Sequence, residues 1–321
     1  MKRLLSIFFL IYIAIFSPSC QKDAEPTLNT EVQNYLNEML YIMQTNSINR
    51  RSINWSFFKK NVLDYAKGAQ NINDDKTIGA IQMAIDLLND SHSFYMTSKN
   101  TYIVGRTAGA TACLDELPNM PELDNSIGYV KVGAFSGNAT EALAYVQAIQ
   151  TSIKNSDNDA IKGWIVDLRG NFGGNMWPML CGIGPILGDG VAGHFIDADE
   201  KIQPWGYING VTGGFQIENP YILKKNNPKV AVLVDGATAS SGEAVAIAFK
   251  NRPDAKLFGR PTCGVSTANR SFVLSDNATL YLTVSTMADR TQKAYGKKVE
   301  PDVNIVSQQQ YISQAIDWLK Q

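Results

Sequence analysis

Apolar residues recur at helical spacing three times in the first third of the chain. In EVQNYLNEMLYIMQ, behind Thr30 as a possible cap, Val32, Tyr35, Leu36, Met39, Leu40 and Met43 share one face. Helices are also predicted over 55–67 and over 75–89, the latter with Ile78, Ile81, Ile85 and Leu88 in one stripe. Together they predict an N-terminal helical bundle ending in LNDSHSFYM. From about residue 127 the pattern changes. IGYVKVGAF alternates like a strand, 140–153 is amphipathic with helical period, and GWIVDLRG is an apolar strand ending on charge. Helix 175–187, the buried strand VAVLVDG and helix 241–250 follow, an alternation that predicts a layered α/β domain with a mostly parallel sheet. SFVLSDNATLYLTVST reads as a hairpin turning at Asp276-Asn277, and QQQYISQAIDWLK as a closing helix. Segments 97–125 and 189–228, rich in Gly, Asn and Pro, read as loops or small strands.

The extreme N-terminus follows another pattern. Lys2 and Arg3 precede the apolar run 4–16, which is short for a bilayer span and reads as an export signal over residues 1–19. Cys20, after small residues, is similar to the acylated cysteine of bacterial lipoproteins, although Ser17 and Pro18 depart from the usual signal. The expected organisation is therefore a signal peptide (1–19), a lipidated tether (20–29), a helical subdomain (30–96) and an α/β core (97–321). QKDAE after Cys20 resembles the sorting signals of outer-membrane lipoproteins, and reads equally as a solvated tether.

Charge and cysteines narrow the function. Losing residues 1–19 removes Lys2 and Arg3 and no acid, taking the formal charge from −1 to −3. Such a chain offers no electrostatic case for nucleic acid. With only two histidines and no CxxC, neither a zinc site nor any other cofactor is expected. Cys113, Cys181 and Cys263 can form a disulfide in an oxidising compartment, with the pairing open.

Three short stretches carry candidate chemistry: DSHS at 90–93, DLRGNFGGN at 167–175 and TASSGE at 238–243. The last two follow apolar strands, and in open α/β sheets the carboxyl ends of strands are where ligands bind. Ser240 stands in a strand-to-helix turn that can expose its hydroxyl while the Ser241 N–H faces the same space. Alone, either serine would serve as a helix cap. Gly173 and Gly174 lack side chains that block approach, so an N–H there, taken as Gly173, can supply the second donor of an oxyanion hole. Of the histidines, His194 has no polar sequence neighbour, whereas His92 lies among Asp90, Ser91 and Ser93 and is the candidate base.

TASSGEAVAIAF, DLRGNFGG, FGRPTCGVSTAN and ADRTQKAYGKKVEPDV, within roughly residues 30–305, resemble the C-terminal processing (tail-specific) serine proteases and their tricorn-like branch. The resemblance implies a crotonase-like α/β core, with Ser240 as nucleophile and peptides or proteins as substrates. It also locates departures. Val265 stands where the processing proteases carry their base lysine, while DSHS resembles the serine–histidine pair of the tricorn-like branch, with Ser91 orienting His92. Asp289 and Glu300 are the nearest candidates for that branch's orienting acid. Only 74 residues separate His92 from Asp167, too few to add a PDZ module to the first strand and helix. GRPTCGVS has P-loop-like glycine spacing, but Val265 replaces the phosphate-binding lysine. The sequence thus points to an exported, lipid-anchored serine endopeptidase. Its rival is a peptide-binding lipoprotein that keeps the fold without catalysis.

Overall fold

A computed structural model describes residues 26–105, 113 and 122–321. The expected signal peptide and Cys20 lie outside the described residues. Helices α1 (Thr30–Asn46), α2 (Trp55–Tyr65) and α3 (Asp75–Leu87) form where the periodicity places them. The α1 cap is Asn29 rather than Thr30: its side-chain oxygen accepts the Glu31 N–H at 2.8 Å, and Thr30 becomes the first helical residue.

The α/β alternation builds a five-stranded parallel sheet. Its order is β11 (Val303–Asn304), β8 (Ala255–Gly259), β7 (Val230–Val234), β4 (Gly163–Asp167), β3 (Ile127–Lys131). Strands β4 and β7 are buried at every position, as expected of parallel strands covered on both faces. Trp164 and Val166 enter the core beneath α4 (Ala139–Ser156), α5 (Met176–Leu187) and α6 (Ser241–Phe249), whereas Ile165 faces α7 (Gln308–Lys320).

A second sheet is antiparallel. Its path is β2 (Tyr102–Val104), β1 (Phe94–Met96), β10 (Thr279–Asp289), β5 (Gly190–Asp197), β6 (Ile202–Tyr207), and β9 (Thr267–Val273) pairs with the other side of β10. The β9–β10 hairpin arises where expected. Leu274, Ala278, Leu280 and Leu282 share one core with the three N-terminal helices, so that core crosses the division expected at residue 96. The helices thus rest on a sheet that also carries catalytic candidates. No described helix is long and apolar enough to cross a membrane.

Candidate active site

Strands β4 and β7 are neighbours, and each ends in a turn that feeds a helix. The two turns interlock. Asn171 is fully buried: its carbonyl accepts the Ala239 N–H at 2.9 Å and its amide donates to the Val132 carbonyl at 3.0 Å. A Cβ on Gly242 would lie 2.3 Å from the Asn171 carbonyl oxygen, and one on Gly173 would lie 2.8 Å from the Ser240 Cβ. Glycine is required at both positions because two backbones touch there. Beneath, Asp167 and Arg169 form a buried two-point ion pair at 2.7 and 2.9 Å, joined by the Tyr129 hydroxyl at 2.8 Å. Burial opposes ionisation of Asp167, but bonds from Arg169 and the charges of Lys131 and Arg169 outweigh it and hold the carboxyl below its ordinary range.

At the interlock Ser240 adopts φ 51° and ψ −115°, a conformation that costs an L-residue about 1–3 kcal/mol. Glu243 holds it there. That fully buried carboxylate accepts the Ser240 N–H at 2.9 Å, the Thr262 hydroxyl at 2.5 Å, and the Gly264 and Val265 N–H groups at 3.0 Å each. Burial pushes the Glu243 carboxyl up to about 7 against those four donors. The P-loop-like segment therefore wraps an internal carboxylate. Cys263 in that segment forms a disulfide with Cys113, its N–H donates to the Thr238 carbonyl at 2.9 Å, and Cys181 is a buried free thiol.

Ser240, Ser241, Gly174, His92 and Thr267 line one cleft of about 1590 Å³ between the two sheets. Phe94 and Tyr281 stack on one side at 4.5 Å between ring centres, and Phe195 and Trp205 lie 5.8 Å apart on another. His92 is partly buried, and burial lowers its pKa to about 4 against the charge of Asp90 and the contact with Thr267. The ring is therefore neutral at pH 7. Its Nδ1 lies 2.8 Å from the Thr267 hydroxyl, and its carbonyl accepts from the Asn269 amide at 2.8 Å. Asp90 shapes the turn by accepting the N–H groups of His92 and Ser93 and the Ser93 hydroxyl.

Several expected partners fall elsewhere. Ser91, expected to orient His92, is exposed and outside the cleft lining, and it is the Thr267 hydroxyl that meets His92 Nδ1. Asp289 is buried at the far end of β10, where it binds Thr291, Lys293, Asn251 and Tyr295 in a closed turn. Glu300 is exposed, and its backbone carbonyl rather than its side chain receives Lys250. Neither acid lines the cleft. His194 is buried on β5 with its Nδ1 on the Asp289 carbonyl. Gly173 spends its N–H on the Asn171 side chain at 3.0 Å, because positive φ curls the turn back on itself. Gly174 does not: its bridge to Phe135 is made by the flanking Gly173 carbonyl and Asn175 N–H, so its own N–H points away and has no partner among the described residues. The Ser241 hydroxyl donates to the Gly174 carbonyl at 2.6 Å, tying the two turns, while its N–H opens α6 without an intrahelical acceptor.

Sequence reasoning passed over Glu243, Thr267 and Asn171. Glu243 had a signal, since Ser-x-x-Glu is the spacing of a capping box. Thr267 had none, because it reaches His92 across 175 positions of chain.

Residues 126–305 match the model of peptidase family S41. The Nisin-resistance protein of Lactococcus lactis subsp. lactis is 29% identical over 292 residues, covering 90% of this chain and 87% of that protein. The carboxy-terminal processing protease CtpA of Bacillus subtilis (strain 168) is 29% identical over 162 residues, covering 50% of this chain and 31% of that one. A lipoprotein from Streptococcus agalactiae has the same fold, with a TM-score of 0.73 at 22% identity over 91% of this chain and 97% of its own. The photosystem II D1 C-terminal processing protease superposes with a TM-score of 0.57 at 15% identity, over 87% and 94% of the two chains. The turns that interlock around Ser240 and the match over more than half the chain lead to one assignment: the protein belongs to peptidase family S41.

Proposed function

We propose that the protein is an exported, lipid-anchored serine endopeptidase acting through Ser240 and His92. The observation that carries this reading is that Ser240, strained at a helix N-terminus, lines the same cleft as a neutral histidine whose Nδ1 is already engaged. With Nδ1–H donating to Thr267, Nε2 is the free base. It takes the Ser240 proton as the hydroxyl oxygen attacks a peptide carbonyl, and the Gly174 and Ser241 N–H groups face the developing oxyanion. The imidazolium then protonates the leaving amine, leaving an acyl-enzyme on Ser240. Water attacks that ester, giving its proton to His92, and the carboxylic acid product departs with the serine restored. Thr267 takes the orienting role first assigned to Ser91, and Gly174 the donor role first assigned to Gly173.

Substrates are peptides or proteins in extended form, and the name of the Lactococcus relative makes nisin the first peptide to try. In this reading the export signal expected over residues 1–19 and acylation of Cys20 hold the enzyme in the cell envelope as an outer-membrane lipoprotein. The reading is tested by incubating purified protein with nisin and with a randomised decapeptide mixture and following new termini by mass spectrometry. Cleavage by the wild type that is lost in Ser240→Ala and His92→Ala is the expected result. Peptide binding without cleavage in the wild type would establish the non-catalytic reading, which Val265 at the family's lysine position favours.

A further inference from the structure

Strand β9 is one margin of the antiparallel sheet, with β10 as its sole ladder partner among the described residues. Thr283 on β10 turns both backbone groups away from β9: its N–H donates to the Ser93 hydroxyl and its carbonyl accepts the Ile48 N–H, each at 2.9 Å. Opposed residues of an antiparallel pair alternate between exchanging two hydrogen bonds and exchanging none. Asn269, opposite Thr283, therefore exchanges none, and the same holds for Ser271 opposite Tyr281 and Val273 opposite Thr279. Their N–H and C=O groups point outward. No described residue bonds them.

This row of unpaired amides faces the cleft that holds Ser240 and His92. Residues 267–271 all line it in succession, although side chains of a strand alternate between faces. A strand does this when its edge borders the cavity. Edges exposed to solvent are ordinarily blunted by lysine or proline, and β9 carries neither. Its one charge, Arg270, turns aside to the Asn46 side chain and the Phe272 ring. The opposite margin, β6, also borders the cleft but contains Pro204, which breaks its row of donors.

We propose that β9 is the docking edge for the substrate, which adds to the sheet as an extended strand paired to Asn269, Ser271 and Val273. This rests on the peptidase reading above and specifies how the peptide is held. Recognition is then made by main-chain hydrogen bonds, with side-chain preference left to the aromatic pockets beside the edge. Because Thr267 begins the same strand and touches His92, a peptide zipped onto β9 runs toward the imidazole. The chemistry recognised is an unbranched peptide backbone free to extend over five residues, the span that lies opposite Asn269 to Val273 and pairs with each alternate edge position.

The test is an N-methyl scan. A decapeptide cleaved by the wild type is resynthesised with one methylated backbone nitrogen at a time. Pairing to an edge predicts alternation on one side of the scissile bond: kcat/KM falls about tenfold or more, about 1.4 kcal/mol, at every second residue and holds between them. In Ser271→Pro, which removes an outward N–H without touching the β10 ladder, kcat/KM for the unmethylated peptide falls by a similar factor and the alternation disappears. An even N-methyl profile with Ser271→Pro at wild-type rate overturns the docking edge and leaves the peptidase reading intact. Absence of cleavage of any peptide by the wild type overturns both. If Ser271→Pro fails to fold, the scan on the wild type alone decides.

Discussion

Replacing Thr267 by valine removes the hydroxyl that meets His92 Nδ1 while keeping a branched residue of similar shape on β9. At 2.8 Å the contact is a full hydrogen bond. It matters most when the ring carries the serine proton, because its partner is then an imidazolium in a partly buried site. A hydrogen bond to a charged group contributes about 1.5–3 kcal/mol, so the transition state should lose about 10- to 150-fold in rate at roughly 1.4 kcal/mol per decade. The ground state, with neutral imidazole, loses less. The expected signature is a fall in kcat with KM nearly unchanged, measured by steady-state hydrolysis of a fluorogenic peptide. Thr267→Ser, which restores the hydroxyl, should recover most of the rate. Full activity in Thr267→Val, or a loss confined to KM, would refute the idea that this hydroxyl orients the base.

Protonation of His92 and Glu243 should tilt stability in opposite directions. Burial lowers His92 from 6.5 to about 4, so the unfolded chain binds its proton more readily; the associated stability is full above pH 6.5 and is lost as pH falls toward 4, by at most about 3 kcal/mol. Glu243 is raised from 4.5 to about 7, so its contribution is greatest below pH 4.5 and falls as pH rises through 7, by a similar amount. Denaturant titrations across pH 4–8 should therefore show a nearly flat wild type between pH 4.5 and 6.5, a falling profile in His92→Gln and a rising one in Glu243→Gln; unchanged slopes in both variants would contradict these assignments. The Cys113–Cys263 bond closes a loop of 150 positions, so replacing both by serine should cost about 3–5 kcal/mol in denaturant unfolding. Because Cys263 adjoins the amides that hold Glu243, that variant should also lose activity below its melting transition; retention of both properties would show the bridge to be dispensable. Cys20→Ala should abolish metabolic incorporation of labelled palmitate, and unchanged labelling would remove the lipid anchor.

How much of this was legible in the chain depended on the range of the interactions. Helices α1 to α3, the β4 and β7 strands and the β9–β10 hairpin follow from periodicity and turn residues, which are local. The second sheet was less visible. Strands β5 and β6 carry Gly190, Gly193, Pro204 and Gly206, so 189–228 reads as loops or small strands, and their membership of a second sheet emerges only when β10 pairs with β5. The site divides similarly. Ser240, Gly173 and Ser241 announce a tight turn, but whether the N–H of Gly173 or of Gly174 stays free depends on Asn171 bending back by two residues. Thr267 could not be read at all, since a threonine at a strand start has no local mark of touching a histidine on another element. Asp289 was a candidate only because the resemblance asks for an orienting acid, and its four partners, which close a turn away from the cleft, could not be read from the chain.

The central claim is that the Ser240 hydroxyl becomes covalently acylated with His92 as its base. The most direct measurement is mass spectrometry of the protein after a fluorophosphonate probe, with the modified peptide sequenced. The account predicts a single adduct on Ser240, formed more slowly in His92→Ala and absent in Ser240→Ala. Equal labelling of Ser240→Ala, or an unlabelled wild type whose folding is intact, would contradict it.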